Sequence, residues 1–520
     1  MKKTVLMIMA FAAISSTLWA GGIVTNSNQS AAYVRMLARD ASYNLDAVYF
    51  NPAGLTLIKD GFHFSLNTQT IWQDRSIKND YKYLNNGEYK GKVFAPVFPS
   101  IYAAYKTGKT AFSAAFIPVG GGGGATFDKG LPSFEIGISD LVPSLNAQGI
   151  PVSAYSADLY FKGTSVYWGA QLGVSTELTD NVSLFIGARY IMASTTYQGH
   201  LKDITLYSEQ PVFGESTSIK AADFFAGAQL KYQQTAAAFG AALDQSAVIP
   251  EAMATQAGLP VGTTFGQATA IFTNAAVQAG ARKALLSDQE ADVTQKGTGI
   301  TPIFGMNISL LDKKLNIGAK YEFVTPMLVK NNTKKDFLVG YTANGTPITE
   351  FPDKAETHSD MPCLLSIGVA YKVSDKLNLA LGYHGYFDKS ADYGKTNSEG
   401  VAVSNKGIMD KNYFEIALGA EYNITKKLLV SAGILRAQTG VSEAYQSDLS
   451  NSLSSNTGSF GFGYNVTPGI QVNVGALYTT YVSSDKHYTH YLGKTAVPVV
   501  ETYGKGNVIV ALGVDVSLGK

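Results

Sequence analysis

Two basic residues, Arg189 and Lys320, are candidates to bind a carboxylate in apolar surroundings. Each lies on the small, polar side of a predicted strand, opposite its aliphatic side. A carboxylate in an apolar pocket needs an arginine or a lysine, because these side chains supply charge-assisted hydrogen bonds. Glu322 lies two residues from Lys320 on the same predicted face, and this spacing favours an internal ion network over a ligand contact. Both interpretations stay open at this point.

Other residues that could carry chemistry are few. The run Gly120–Gly124 lacks the Gly-Lys-Ser/Thr ending of a phosphate-binding loop. His487 and His490 are three residues apart in a predicted loop, where histidines beside tyrosines are usually surface residues. The single cysteine, Cys363, excludes an intramolecular disulfide and a cysteine-based zinc site. We therefore predict no catalytic residue, no metal site and no cofactor, and a protein that is not an enzyme.

The composition excludes several classes of protein. Charged residues make up 16% of the 520 residues, against roughly 25% in soluble domains. The chain contains 52 glycines, 30 tyrosines and 26 phenylalanines, and a chain so rich in aromatic residues is not intrinsically disordered. The formal net charge of +1 excludes the basic surface typical of nucleic-acid-binding proteins.

The N-terminus resembles a secretory signal peptide. Lys2 and Lys3 precede an apolar run over 5–14, and Ala20 is the small residue before the predicted cleavage. The apolar run is shorter than the roughly 20 residues that a membrane-spanning helix needs. We predict a signal peptide over 1–20 and an exported mature chain that begins at Gly21. No later run of about 18 uncharged apolar residues occurs, so we expect no membrane-spanning helix.

Alternation of apolar and small residues predicts the strands that position these side chains. In the last segment, Asn507–Gly519, the even positions from Val508 to Leu518 are all aliphatic and the odd positions are mostly small or polar. Segments of this kind run for 9 to 13 residues, whereas soluble strands average nearer 5–6. Strands of about 9–11 residues cross a bilayer at a tilt, so the pattern favours a membrane barrel over a soluble sandwich.

The connections indicate how many strands there are. Six tight polar turns each join two strand-like runs, and the runs at Phe62–Trp72 and Asn507–Gly519 add two more, which gives about fourteen. We therefore predict an all-β fold, a transmembrane antiparallel β-barrel of about 14 strands over 62–520, with short periplasmic turns and long extracellular loops. Apolar spacing of three to four residues between Phe265 and Leu286 predicts helices in the longest loop, over 198–300. The predicted long connections are 76–92, 120–160, 198–300, 328–360, 388–411, 439–457 and 483–505.

Residues 21–61 are too many and too apolar for a simple tail, and they show no strand alternation. A barrel of about fourteen strands is wide enough to need filling. We predict that this segment, which we call the plug, folds into the lumen.

The stretch over 40–55, DASYNLDAVYFNPAGL, resembles the N-terminal plug of the FadL/OmpP1/TodX family of outer-membrane transporters. The resemblance rests on Asn51-Pro52-Ala53-Gly54, which follows an acidic and small-residue stretch and precedes the first strand. It implies a transporter of long-chain fatty acids and other hydrophobic compounds.

In such a family, ligand is caught on an extracellular groove, passed to a lumen pocket and released when the plug rearranges. The resemblance also implies sideways exit at a kink in the third strand, here about Thr110–Val119. Pro118 cannot donate a ladder hydrogen bond, and Gly120, Gly121 and Gly122 follow it, so these residues are the candidates for a lateral opening. The alternative is that they form only a flexible lead-in to a loop.

Together with this resemblance, the sequence predicts a protein of the bacterial outer membrane that passively takes up hydrophobic molecules. Long-chain fatty acids are the expected cargo. The expected partners are outer-membrane lipids and hydrophobic ligands, without nucleic acid, and the expected state is a monomer. Two alternatives stay open, a general porin for small solutes and a surface adhesin or antigen.

Overall fold

The computed structural model of the chain describes residues 25–342, 344–396 and 401–519. The predicted signal peptide over 1–20 and the first residues of the plug lie outside the described residues.

Long antiparallel strands dominate the described chain. In chain order they are β1 (Gly61–Asn79), β2 (Glu88–Thr107), β3 (Thr110–Phe127), β4 (Ala154–Thr179), β5 (Val182–Tyr207), β6 (Ser218–Lys220), β7 (Gln289–Leu310), β8 (Leu315–Glu322), β9 (Leu328–Lys335), β10 (Leu338–Tyr341), β11 (Pro347–Thr349), β12 (Glu356–His358), β13 (Leu364–Lys372), β14 (Leu377–Tyr386), β15 (Tyr413–Asn423), β16 (Leu428–Gln438), β17 (Ser455–Thr467), β18 (Ile470–Tyr481), β19 (Ser484–Leu492) and β20 (Thr495–Gly519).

Helices occur only in the plug and the loops of the described chain. They are α1 (Ala31–Arg35), α2 (Ala47–Phe50), α3 (Pro132–Ser139), α4 (Leu141–Asn146), α5 (Ala221–Gly240), α6 (Glu251–Gln256), α7 (Phe265–Leu285) and α8 (Asn405–Ile408), with 3-10 helices at Pro52–Leu57 and Asp388–Ser390.

The strands form a closed ring of fourteen wall strands, as the sequence predicts. β8 with β9 and β13 with β12 each act as one interrupted wall strand, while β6, β10, β11 and β19 belong to the loops. The ring closes where β1 pairs with β20 from Gly61↔Gly519 to Asn79↔Glu501. Closure gives every described wall strand a neighbour on each side, apart from a short break between β2 and β3. This matters because lipid cannot hydrogen-bond the backbone groups of an unpaired edge strand.

Side chains alternate between lipid and lumen along the wall. On β20, Val510 and Leu512 are 43% and 49% exposed, whereas Ile509 and Ala511 between them are 2% and 1% exposed. The outward aliphatic stripes are the lipid-facing surface, because transfer of apolar side chains from water into the bilayer is favourable. The polar backbone groups are already hydrogen-bonded to neighbouring strands.

The strands are longer than the alternation predicts. β4 and β5 each contain 26 residues, and the longest connection runs over 208–288 rather than 198–300. On β1 the outward side chains change from apolar to polar between Trp72 and Asp74, although the strand continues to Asn79. Strands therefore extend beyond the apolar belt, where alternation of hydrophobicity no longer marks them.

The longest loop is helical, as predicted. α5 and α7 pack together, and α7 begins with a capping box in which Thr264 and Gln267 satisfy each other's backbone N–H groups. Across the described ranges, none of the helices has both the length and the apolar character needed to cross a membrane.

The described plug, residues 25–60, lies inside the ring against lumen-facing glycines. A Cβ at Gly475 would lie 2.6 Å from the backbone nitrogen of Arg35, and one at Gly433 would lie 2.7 Å from the backbone nitrogen of Leu37. Real side chains do not tolerate such distances, so these positions admit only glycine while the plug is in place. The glycine-rich inner face is thus a fitted surface, which we call the glycine seat: Gly318, Gly368, Gly382, Gly419, Gly433, Gly461, Gly475 and Gly513.

Candidate functional site

The Asn-Pro-Ala-Gly motif lies in the lumen, docked on the wall. The Asn51 side-chain amide donates to the Asn307 Oδ1 at 2.7 Å and to the Ser42 carbonyl at 3.0 Å. Pro52 begins the 3-10 helix, and its carbonyl accepts from the Ser175 hydroxyl at 2.7 Å. The Ala53 carbonyl accepts from Ser183 at 2.7 Å. The motif therefore fixes this end of the plug to β4, β5 and β7.

Gly54 completes that turn. Its N–H donates to the Asn51 carbonyl at 2.8 Å, and a Cβ at Gly54 would lie 2.5 Å from the Asn51 Nδ2. A larger residue would displace the asparagine amide from its two acceptors. The assignment of these four residues to plug function stays a prediction.

Arg189 and Lys320 both face the plug, and both are bound to Glu322. The Arg189 guanidinium donates to the two Glu322 oxygens at 2.6 and 3.0 Å, and to the Gln171 Oε1. The Lys320 ammonium donates to Glu322 at 2.6 Å and to the Tyr49 carbonyl at 2.7 Å. The two candidate ligand contacts thus share one carboxylate, as in the ion network that the spacing favours.

A second ionic anchor joins the plug to β14 and β15 of the wall. The His384 ring lies between two carboxylates, with Nε2 2.7 Å from the Asp40 Oδ1 and Nδ1 2.8 Å from the Glu415 Oε2. Both ring nitrogens can donate only in the protonated imidazole, so this geometry fits a charged histidine. Glu415 also accepts from the hydroxyls of Tyr413 and Tyr386.

A third anchor surrounds Arg35, which is fully buried. Its guanidinium donates to Glu421 and to the Ser431 hydroxyl, while its Nε donates to the Asn473 Oδ1 at 3.1 Å. Sequence reasoning missed this anchor and the His384 anchor, because each joins residues several hundred positions apart. For His384 one signal was available: the alternation along its strand places this side chain on the lumen-facing side.

The N-terminal end of the plug is held differently. The Ala31 N–H donates to the Asn67 Oδ1 at 2.9 Å, and the Asn28 amide donates to the Gln69 Oε1 at 3.0 Å. The Asn26 N–H donates to the Val119 carbonyl at 2.9 Å. These contacts to β1 and β3 join neutral groups, which contribute less net stability than charge-assisted hydrogen bonds.

The wall is interrupted where the plug's first residues meet β3. β2 and β3 pair at Gly91–Val93 and again at Ile101–Thr107, but not between. Over 117–121 every residue of β3 is buried, so the alternation of lipid-facing and lumen-facing residues stops there. The pairing of β3 with β4 also shifts register between Pro118 and Gly120 and between Gly121 and Gly123.

Glycine is required at one point of this break. Gly121 has a φ of +79°, and a Cβ there would lie 2.9 Å from the Val166 Cα, with the Ser165 carbonyl closer still. Pro118, Gly120 and Gly121 are buried at the break, and Gly122 lies in the same strand. Their role as a lateral opening stays a prediction.

Sequence reasoning missed two prolines on the other side of the break. Pro96 and Pro99 lie in the part of β2 that does not pair with β3. Neither can donate a ladder hydrogen bond, so three prolines, with Pro118, remove donors from the two strands that face each other across the break. Proline inside a predicted strand was the signal that could have found them.

A cavity separates the plug from the wall beside this break. Its volume is about 90 Å³. Gly121 lines it at the break, and Tyr33 and Leu37 line it from the plug. Among the described residues that line it, Glu415 is the one with a carboxyl group. The wall lining is mixed: Ile71, Leu435, Ala437, Leu477 and Ile509 are apolar, and Gln73, Ser455, Thr457, Thr479 and Asn507 are polar.

A second apolar cavity lies among the extracellular loops. Its volume is about 50 Å³, and its lining includes Phe134, Leu201, Leu285 and Phe337. Glu350 also lines it, and burial together with the nearby carboxylates of other residues raises the pKa of this side chain to about 8.

The sequence matches the family described as "Outer membrane protein transport protein (OMPP1/FadL/TodX)" over residues 11–511. The chain belongs to this family. Family membership confirms the resemblance carried by the plug, and it makes the chain an outer-membrane transport protein of a family of channels rather than enzymes.

A solved structure with a similar fold has low sequence identity to this chain. The crystal structure of a Pseudomonas aeruginosa FadL homologue has a TM-score of 0.61 and 14% identity, with 95% of this chain and 99% of that chain covered. The P. putida toluene transporter TodX has a TM-score of 0.49 and 12% identity, with 90% and 94% covered. No curated protein sequence matches the chain significantly.

Proposed function

We propose that this protein passively transports hydrophobic molecules across the outer membrane, and that long-chain fatty acids are its cargo. The observation that carries the proposal is the position of the lumen cavity, which touches both the plug and, at Gly121, the segment of β3 that is not paired with β2. Its volume of about 90 Å³ is below the about 300–1,000 Å³ of known ligand pockets, so the plug must move before the cavity can hold a long hydrocarbon chain.

In this proposal the extracellular cavity takes up the cargo first and the lumen cavity holds it next. A hydrophobic molecule gains nothing from an aqueous pore, because its transfer into water is unfavourable. Exit between β2 and β3 would instead deliver it sideways, where three prolines and Gly121 keep the strands from pairing. The route requires the N-terminal end of the plug to leave Val119 and Gly120, which it contacts through backbone groups.

We assign Arg189 and Lys320 to holding the plug rather than to the cargo. Both are almost completely buried, and their donors are used by Glu322, Gln171 and the Tyr49 carbonyl. A carboxylate could bind them only by displacing Glu322.

Uptake of labelled oleate by cells that lack their own fatty-acid transporter tests the proposal. Cells expressing the full chain should take up oleate faster than cells carrying an empty vector. Gly121→Val should abolish most of that gain, because valine cannot adopt the φ of +79° and would restore a regular strand. Gly458→Val is the matched control, since a Cβ at this wall glycine meets open space.

The same cells separate the alternatives. A general porin would conduct ions freely across a planar bilayer with the plug in place, and it would tolerate Gly121→Val. An adhesin would leave oleate uptake unchanged when the chain is removed. Equal uptake with and without the chain would refute the transport of fatty acids.

A further inference from the structure

A groove runs across the lipid-facing side of the wall from β13 to β17. Its volume is about 660 Å³, which is within the about 300–1,000 Å³ of known ligand pockets. Small outward residues on three neighbouring strands line it, namely Ala420, Ala432 and Gly458. Leu418 and Ile434 beside them are 52% and 62% exposed. The small residues therefore form a depression between larger apolar side chains, which we call the outer groove.

The outer groove continues toward the long loops. Its second part has a volume of about 520 Å³ and shares Leu418, Ile434 and Gly458 with the first part. Arg436 and Asn456 line this second part. They are the next outward positions after Ile434 and Gly458, about 6–7 Å further along their strands. The groove thus leads from an apolar region to a basic side chain.

Arg436 marks the extracellular edge of the apolar belt. The outward residues of β16 over 428–434 are all apolar, and Arg436 is the first polar one after them. On the next two strands Asn456 and Thr480 lie in register with it. Tyr478, one outward position nearer the membrane centre, is 58% exposed, as is typical of the aromatic girdle of a barrel. Arg436 therefore lies at the depth of the lipid head groups in the outer leaflet.

The protein does not offset the charge of Arg436. Its guanidinium donates to the Asn456 Oδ1 and to the Gln438 Oε1, both at 3.1 Å. Within the part of the chain that the structure describes, it forms no ion pair, and no carboxylate lines the outer groove. The two amide oxygens orient the guanidinium and leave its other N–H groups to a ligand. A cation at the edge of the hydrocarbon region is expected where an anion pairs with it.

We propose that the outer groove binds a phosphorylated lipid of the outer leaflet, with the phosphate on Arg436 and an acyl chain along Ala432 and Gly458. A guanidinium can donate two parallel hydrogen bonds to a phosphate, and the depression gives the chain contacts that a flat wall lacks. This inference goes beyond the proposed function, because it concerns a lipid of the surrounding membrane and not a transported molecule.

A second copy of the chain fits the outer groove less well. In a dimer with two-fold symmetry, the same surface of both copies forms the interface. Since no carboxylate lines the groove among the described residues, both Arg436 side chains would enter that interface without a counter-charge. A phosphorylated lipid supplies the anion and the apolar chain together.

Native mass spectrometry of lipid binding to the purified full chain in detergent tests the inference. The probes are dioleoyl phosphatidic acid and dioleoylglycerol, which share their acyl chains and differ in the phosphate. Arg436→Gln should bind phosphatidic acid at least about tenfold more weakly, because charge-assisted hydrogen bonds are lost, and dioleoylglycerol within about twofold of the native affinity. Lys296→Gln is the matched control, because it removes an outward positive charge on β7, away from the groove. It should leave both affinities within about twofold.

A second variant tests the apolar part of the groove. Ala420→Leu/Ala432→Leu fills the groove with side chains that suit a lipid-facing wall, and it should weaken both probes about fivefold. Unchanged affinity for phosphatidic acid in Arg436→Gln, or an equal loss for both probes, would overturn the inference. A dimer of the native chain that Ala420→Leu/Ala432→Leu abolishes would also overturn it, because a second copy would then occupy the groove.

Discussion

The plug contains two parts that are held by different forces. Residues 35–51 are joined to the wall by ionic anchors at Arg35, Asp40 and the Tyr49 carbonyl. Residues 25–31 are joined to β1, β2 and β3 by hydrogen bonds between neutral groups. Hydrogen bonds to charged groups contribute about 1.5–3 kcal/mol each and neutral ones about 0.5–1.5 kcal/mol.

This difference indicates where movement begins. The weakly held part covers the break at Val119 and Gly120, while the strongly held part is distant from it in the chain. In the proposed route, cargo in the lumen cavity would contact both parts, through Asn26 and Leu37. Only the first part can leave the wall without separating buried charges. Opening of 25–31 alone is therefore the economical rearrangement.

The largest effect is expected from Glu322→Gln. Removing this carboxylate leaves Arg189 and Lys320 buried without a counter-charge, which should weaken docking of the anchored part by about 3–5 kcal/mol. Hydrogen exchange over 40–57 should rise, and ion conductance in planar bilayers should rise with it. Glu356→Gln is the control, because Glu356 pairs with Lys330 at the surface. Unchanged exchange over 40–57 would show that the ionic anchors do not hold the plug.

A smaller effect is expected from His384→Gln. A neutral amide cannot donate to both Asp40 and Glu415 as the protonated ring does, so about 2 kcal/mol of the anchor should be lost. Protease cleavage within 35–46 in nanodiscs should become faster. His487→Gln, which alters an exposed pair with Glu443, should leave cleavage unchanged. Equal cleavage in both variants would remove His384 from the anchors.

Asn67→Ala should loosen only the weakly held part. The variant removes the acceptor of the Ala31 N–H and should cost about 1 kcal/mol. Hydrogen exchange should rise over 25–31 and stay unchanged over 35–51, and oleate uptake should not fall. A rise across both segments would show that the plug moves as one body, contrary to the comparison.

The smallest effect is a pH dependence confined to the extracellular cavity. The pKa of Glu350 is raised from 4.5 to about 8, so between these values the native loop binds more protons than the unfolded one. Its contribution to loop stability is therefore fully present below about pH 4.5 and is lost as the pH rises toward 8. Protection against hydrogen exchange over 328–351, after correction for the base-catalysed intrinsic rate at each pH, should be lower at pH 8 than at pH 6, and Glu350→Gln should remove that difference. The corrected protection of the plug should not change between these pH values.

The wall could be predicted from the sequence because lipid imposes a strict rule on it. Every outward side chain within the bilayer must be apolar, so Val508 to Leu518 reveal a strand without any knowledge of its neighbours. The same rule fails beyond the bilayer. Lys505 falls in a connection that the alternation assigns to a loop, and Arg75 lies beyond the end of the predicted strand 62–72, although both lie in wall strands.

The site could be predicted only where one short segment carries it. Asn51-Pro52-Ala53 locates the plug, and Pro118 with the following glycines locates the irregular part of β3. The partners of the plug could not be predicted, because Glu421 and His384 meet it only after the ring has closed. Nothing in the local sequence of either residue distinguishes an anchor from an ordinary lumen side chain.

The glycine seat has a consequence for biogenesis. Its members belong to β8, β13, β14, β15, β16, β17, β18 and β20, which are synthesised long after the residues that rest on them. The amino-terminal segment therefore lacks its wall contacts until the carboxy-terminal strands have been synthesised. We expect the insertion machinery to close the barrel around the plug segment. The plug backbone lies so close to the wall glycines that it could not enter a barrel that had already closed.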